Sequence, residues 1–286
     1  MQRITFTSAR GDSVELYQSP FFLNKIEGLG DVESDTQTQK APNQDGSTPI
    51  TTTLGVRSIP IEVVILDDLL ANRQLLSRVF NPRLGPGTLT YQNDIYNVSI
   101  QAQSDHVPTF PDDRPRRTQR VFIDLTCYDP YFTDGIEIRN DIAFWEPTFH
   151  FPLVIPKSTG ITMGIRNPSQ VVNVYVSGHT DTGMIIQFKA NRTLKNPTLT
   201  NVRTGEYIKI IRTMVPGEVI TVNTNARNKK ITSTIDNVTT NIFNDLEFGS
   251  KFLQLLVGDN LFRYGADESE ENLEVSLYHY NKYVGV

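Results

Sequence analysis

The sequence predicts a mainly β protein of two domains: a β-sandwich-like domain with one helix over residues 1–138, then a second β-sandwich or jelly roll over residues 139–286. Three observations carry that expectation. Apolar and polar residues alternate in short runs along the whole chain, the pattern of half-buried strands. A helical period occurs once, just before Asn81-Pro82. Near the middle, the alternating run Val121, Ile123, Leu125, Cys127 stops at Pro130. Proline cannot donate to a sheet ladder and pushes Asp129 into extended geometry, so the strand leaves the sheet there and a domain ends.

The elements follow in order. Ile4 and Phe6, with Val14 and Leu16 after a Gly11-Asp12 turn, predict an opening hairpin. Asp31 to Ser47 carries no hydrophobic period and reads as a long exposed loop ending in an Asp45-Gly46 turn, of the length that is usually functional or mobile. Ile59, Ile61, Val63 and Ile65 alternate as a strand. Asp67 is then a fair N-cap for a helix whose apolar stripe is Leu66, Leu69, Leu70, Leu76, Val79 and Phe80, about 14 residues and roughly 21 Å long. Leu89, Tyr91, Ile95, Tyr96, Val98 and Ile100 make a hairpin about Asn93-Asp94. The loop Pro108 to Thr118 follows, where Asp112, Asp113, Arg114, Arg116 and Arg117 mark either a partner contact or a solvated loop of local ion pairs.

Residues 139–286 hold short apolar runs: Val171 to Val176, Met184 to Phe188, Tyr207 to Ile211, Val219 to Val222, Phe252 to Val257 and Leu273 to Tyr280. Pro216-Gly217, Gly258-Asp259-Asn260 and the acidic stretch Asp267 to Asn272 read as the turns between them.

Composition narrows the function. A chain of 286 residues is long for one core and suits two, and 38% hydrophobic with 21% charged residues is ordinary for a soluble globular protein. No apolar run approaches the roughly 20 residues of a membrane span, and the first residues lack the layout of a secretion signal. The net charge of -5 is uneven: residues 1–138 carry 12 Lys+Arg against 18 Asp+Glu, residues 139–286 carry 15 against 14. An acidic first domain argues against gripping nucleic acid, although such a surface can face DNA without binding it.

No chemistry-bearing motif emerges. The single cysteine, Cys127, excludes an internal disulfide and sits at an inward strand position, as a small core residue. His106, His150, His179 and His279 show no i, i+4 pairing and have no cysteine partners, so no metal site is expected. Nucleophile-elbow, zincin and phosphate-loop patterns are absent. Gly178 to Gly183 reads as a polar hairpin around His179 and Asp181 rather than a catalytic pair. Trp145, among Phe144, Phe149 and Phe151, is assigned to packing rather than to stacking on sugar rings. We therefore expect no enzyme activity, no catalytic, cofactor-binding or metal-ligating residues, and no cofactor. A carbohydrate-binding adhesin acting on cell-wall glycan through the second sandwich is the alternative from composition and fold class.

In their order, the pieces resemble the distal tail protein family of long-tailed bacteriophages. The N-terminal match runs through Ala41-Pro42, Asp45-Gly46, Arg57-Ser58-Ile59-Pro60-Ile61, Arg73, Leu76, Asn81-Pro82, Leu89-Thr90-Tyr91 and Cys127-Tyr128-Asp129-Pro130-Tyr131-Phe132. The C-terminal match is Gly217 to Thr224, Phe252 to Leu261 and Tyr280 to Val286, with Asn223 where the family tends to carry aspartate. No insertion long enough for an added arm or sugar-binding module is present.

The resemblance implies a homo-hexameric ring built by residues 1–138 with a galectin-like sandwich outside it. Its implied place is the tail tip or baseplate of a virion, made in a bacterial host cytoplasm. The ring would join the tail tube protein to a tail-associated hub or lysin protein, and contact tape measure and receptor-binding proteins. Its channel would pass DNA without sequence-specific binding, and the protein would not insert in membranes.

Overall fold

The computed structural model describes residues 2–111, 117–143, 145–147, 164–166 and 171–286, with side chains excepted at 143, 145–147 and 164–166. The protein is mainly β, with one α-helix among the described residues. The chain divides into two units, Met1–Gly135 with Lys282–Val286, and Ile136–Asn281. This differs from the sequence boundary after residue 138 in two ways, and pairing explains both. Residues 138–143 form a strand of the second unit, while Lys282–Tyr283 pairs with Phe132–Asp134 and returns the chain to the first.

The first unit contains, in chain order, strands Arg3–Thr7 (β1), Ser13–Glu15 (β2), Phe21–Ile26 (β3), Ser34–Gln39 (β4), Thr48–Leu54 (β5) and Arg57–Ile65 (β6). Helix Leu69–Val79 (α1) follows, then Gly87–Gln92 (β7), Asn97–Ser104 (β8), Gln119–Cys127 (β9) and Phe132–Asp134 (β10). Its main sheet runs β2-β1-β7-β8-β9-β6-β3, with β10 on β8 and the returning strand on β10. Alternation sets the register, since Ile59, Ile61 and Val63 of β6 lie opposite Leu125, Ile123 and Val121 of β9, all buried. Fully burying one such side chain stabilises by about 1.5–3 kcal/mol.

Helix α1 is shorter than its periodicity suggested. Asp68, in the left-handed region, is the N-cap and accepts from Ala71 N at 3.4 Å, while Asp67 accepts from Asp68 N. Leu76, Val79 and Phe80 are buried, and Phe80 stacks on Phe6 with ring centroids 4.5 Å apart. Leu66 precedes the helix and Leu70 is 72% exposed, so neither belongs to its packing stripe. The segment expected to be a polar loop, Asp31 to Ser47, instead holds β4 and the turn that leads into β5, the two strands pairing as an antiparallel hairpin. Its threonines favour strand through their branched Cβ, which needs no hydrophobic alternation.

The second unit contains Ile138–Ala143 (β11), Trp145–Pro147 (β12), Gly164–Arg166 (β13), Val171–Val176 (β14), Met184–Ala190 (β15), Leu194–Lys195 (β16), Thr198–Asn201 (β17) and Tyr207–Lys209 (β18). Thr213–Met214 (β19), Val219–Asn223 (β20), Lys230–Ile235 (β21), Val238–Asn241 (β22), Gly258–Gly265 (β23) and Leu273–His279 (β24) complete it, and Lys282–Tyr283 is β25. One sheet runs β11-β24-β15-β20-β21-β22 and another β14-β23-β17-β18. Phe188, Val222 and Leu277 from the first share one core with Val174, Leu199 and Phe262 from the second.

Three expectations for this half are overturned. Gly258-Asp259-Asn260 opens β23 rather than forming a turn, and Phe252 to Val257 forms no strand, carrying instead an isolated bridge from Leu255 to Thr182. The apolar residues there mark burial of Leu253 and Leu255, and the Asn260 amide replaces a strand partner by bonding both the N–H and the C=O of Leu256. Likewise Gly178 to Gly183 is a crossover between sheets: β14 pairs with β23, and β15 with β20 and β24.

Candidate functional site: an exposed finger and its base

Strands β4 and β5 pair only with each other, and nearly every residue in them is exposed. At the usual rise, the six residues of β4 reach about 20 Å. Thr36 and Thr52 hydroxyls meet across the ladder at 3.0 Å. At the tip, Ala41 N donates to the Gln44 side-chain oxygen at 3.0 Å and Gln44 Nε2 donates to Thr48 Oγ1 at 3.1 Å. Asn43 and Gly46 turn the chain there with positive φ. Ile50 is 63% exposed, an apolar residue with no partner supplied by its own hairpin.

The base of this finger is held by a buried cation. Arg57, 1% exposed, begins β6 opposite Cys127. Its Nε donates to Pro130 O at 2.9 Å, its Nη1 to the carbonyls of Gly28 (2.7 Å), Leu29 (3.2 Å) and Asp31 (3.0 Å), and its Nη2 to Val284 O. The guanidinium also lies 5.0 Å from the Phe132 ring centroid. Five carbonyl dipoles therefore converge on the three nitrogens of one planar guanidinium, three of them sharing the two hydrogens of Nη1. Burial pushes the Arg57 pKa below its ordinary value. It also pushes the Cys127 thiol up to about 12, so the thiol is protonated and inert at neutral pH.

A second feature of this unit is the outer face of β3, β6 and β9. Phe22 is 57% exposed there, and the register sets it opposite Val64, with Glu62 opposite Phe122. Lys25 pairs with Glu27, and Arg120 approaches Glu62 at 3.8 Å. Strand β3 ends the sheet order, which leaves its outer edge without a strand partner among the described residues.

Residues 9–127 match the model of the phage tail protein RIFT-related domain, and residues 177–283 that of the siphovirus-type tail component, C-terminal domain. The two matches fall in the expected order, the first within the first unit and the second in the second unit but for residues 282 and 283. The chain belongs to the siphophage distal tail protein family. It is a structural component of a phage tail, and its place is the tail of the virion. Among curated proteins no relative matches.

The fold is that of solved tail structures. One is the SPP1 Dit (gp 19.1) protein, described as a paradigm of hub adsorption apparatus in Gram-positive infecting phages: 12% identity, 99% of each chain covered, TM-score 0.70. Another is from the phage P2 baseplate in its activated conformation with Ca, at 11% identity, 100% of each chain and a TM-score of 0.60. The same baseplate with Sr gives 12% identity, 100% of each chain and 0.57.

Within this distal tail fold, the motif around Pro130 and that around Arg57 converge on one cluster. The Gly217-Glu218 motif builds another. Gly217 turns with positive φ, and the buried Glu218 accepts from Arg212 Nε (2.7 Å), Ser233 Oγ (2.6 Å) and Val215 N (3.0 Å). Arg212 also donates to Asp245 at 3.0 Å, and the bond to Glu218 foremost holds its pKa above the ordinary value. Sequence reasoning named Arg57 only as part of a motif and missed both roles, since neither residue stands out by type.

Among the described residues no three His, Cys, Asp or Glu side chains gather as a metal site, and no described helix is long and apolar enough to cross a membrane. His106 lies 3.2 Å from Asp124, and His279 is buried. His150, the acidic and arginine residues Asp112, Asp113, Arg114 and Arg116, and the side chains of Trp145, Phe144, Phe149 and Phe151 lie outside the described residues.

Proposed function

We propose that this chain is the hub of a siphophage tail tip, a homo-hexameric ring that joins the tail tube to the tail-associated protein below and leaves a channel for the tape measure and the genome. The observation that carries the reading is the finger β4–β5. An isolated two-stranded hairpin is at best marginally stable in water, so one that extends from its own sheet and pairs with nothing else is built to be covered.

Ring closure requires heterologous contacts, in which one patch meets a different patch of the next copy. The first unit supplies two unlike surfaces of that kind, the finger and the β3 edge with its exposed Phe22. In the ring each finger lies along the β3 edge of its neighbour, where main-chain bonds give affinity and Ile50 finds apolar contact. An acidic first half, with 18 Asp+Glu against 12 Lys+Arg in residues 1–138, suits a lumen that repels DNA and lets it slide. The second unit is a galectin-like sandwich outside the ring, in reach of tail-tip partners. Negative-stain particle averaging of the purified protein tests this: six-fold rings with a central hole support it, and asymmetric or two-fold particles at every concentration overturn it.

A further inference from the structure

The finger has no body to lean on, so its direction is set at its base, and the base is touched by a segment far away in sequence. We propose that residues 282–286 are a latch that fixes the direction of the finger, with Arg57 as the positioning residue that holds the latch and the base together. The loop feeding β4 offers the carbonyls of Gly28, Leu29 and Asp31 to one nitrogen of Arg57, while Val284 offers its carbonyl to another. Val286 N donates to Leu29 O at 3.2 Å, a second tie between latch and loop that does not pass through Arg57.

Packing closes the same contact. A Cβ on Gly285 would meet Gly30 O at 2.9 Å and Gly30 Cα at 3.1 Å, so the two glycines let two backbones touch. Gly28, at φ +78°, is pressed against β6 in the same way, with its would-be Cβ 2.0 Å from Ser58 O. The latch is itself anchored by β25 pairing with β10, by Lys282 over the Tyr131 ring (5.4 Å) and by Tyr283 edge-on to Tyr96 (6.0 Å). On the finger side the last tie before β6 is Gly55 N to Glu33 O at 2.8 Å. Everything between Asp31 and Gly55 thus hangs from a base that residues 284–286 and Arg57 clamp.

The latch does not depend on the ring, and its failure is distinguishable from that of the hub reading. Spin labels at Lys40→Cys on the finger and Gln101→Cys on β8 use two exposed positions of the full chain, while buried Cys127 stays unlabelled. Distances are read on dilute monomer, where no neighbour can hold the finger. The intact chain is expected to give the narrowest distance distribution of the set. Deleting residues 284–286, or introducing Gly285→Val, is expected to broaden it at least twofold and to speed amide exchange at Gly55, whose N–H bonds Glu33 O at the finger base, by tenfold or more. Exchange in β1, β7 and β8 then stays as in the intact chain, which shows that the sheet is folded. Arg57→Lys keeps the charge but not the planar fork, and broadens the distribution partway. Equal widths for the intact chain, the deletion and Gly285→Val overturn the latch, whether or not rings form.

Discussion

Among the described residues, Arg57 of the first unit and Glu218 of the second are buried charges, and the two are satisfied in opposite ways. Glu218 is met by a guanidinium, a hydroxyl and a backbone N–H, mostly from its own stretch between Arg212 and Ser233. Arg57 hydrogen-bonds no carboxylate, only the backbone carbonyls of residues 28, 29, 31, 130 and 284. The first arrangement closes a local turn. The second reads backbone wherever it comes from, so one side chain can join the entry to the finger, the exit at Pro130 and the returning segment. A charge neutralised by dipoles is a connector, and a charge neutralised by a counter-ion is a staple.

The largest expected effect follows from removing the connector. Arg57→Met leaves five carbonyls without their common donor and is expected to cost the first unit about 3–5 kcal/mol. Hydrogen exchange in β1 and β7 reads that loss, and exchange in β20 and β24 should stay unchanged. Equal loss in both units would show that the two clusters are not separate. Glu218→Gln does the reverse at smaller cost, about 2 kcal/mol in β20 and β24 with β1 and β7 unaffected, because Arg212 keeps Asp245.

Cys127 sharpens the comparison through chemistry. With its pKa pushed up to about 12 by burial, it should resist a thiol reagent at pH 8 in the native protein and react at the rate of opening. The Arg57→Met variant should therefore react faster, and Glu218→Gln at the native rate.

The smallest effect is at the surface. Lys209 donates to Asp267 at 2.9 Å and holds its pKa below the ordinary carboxylate value. A carboxylate depressed on folding stabilises above its unfolded value near 4 and loses that contribution as pH falls through the folded value. Asp267→Asn should flatten the acid limb of the stability curve slightly, by a few tenths of a kcal/mol at most for so exposed a pair, as acid titration of thermal midpoints will read.

Legibility in the sequence followed the same division. Strands β6, β9, β15, β20 and β24 alternate cleanly and were readable because burial on one face imposes period two. The finger was not, because nothing in it is buried and threonine content alone drives its strands. Strands β21 and β22 were missed for a similar reason, with Lys, Ser, Thr and Asn at most positions. Pro130 was read as the point where the strand leaves the sheet and the domain ends; β9 does stop before it, at Cys127, but the unit continues, with Phe132–Asp134 as β10 on β8. The partner of the Pro130 carbonyl, 73 residues upstream, could not be read, since a long-range bond from side chain to backbone leaves no periodic trace. The return of residues 282–286 to the first unit is topological and equally silent.

The finger's role in assembly is the central claim, and the molar mass of a finger-deleted chain tests it most directly. With residues 34–54 replaced by a short glycine link and the first sheet still protected from exchange, light scattering should give the monomer mass at concentrations where the intact protein is six-fold larger. A finger-less chain that still forms the full ring would contradict the account.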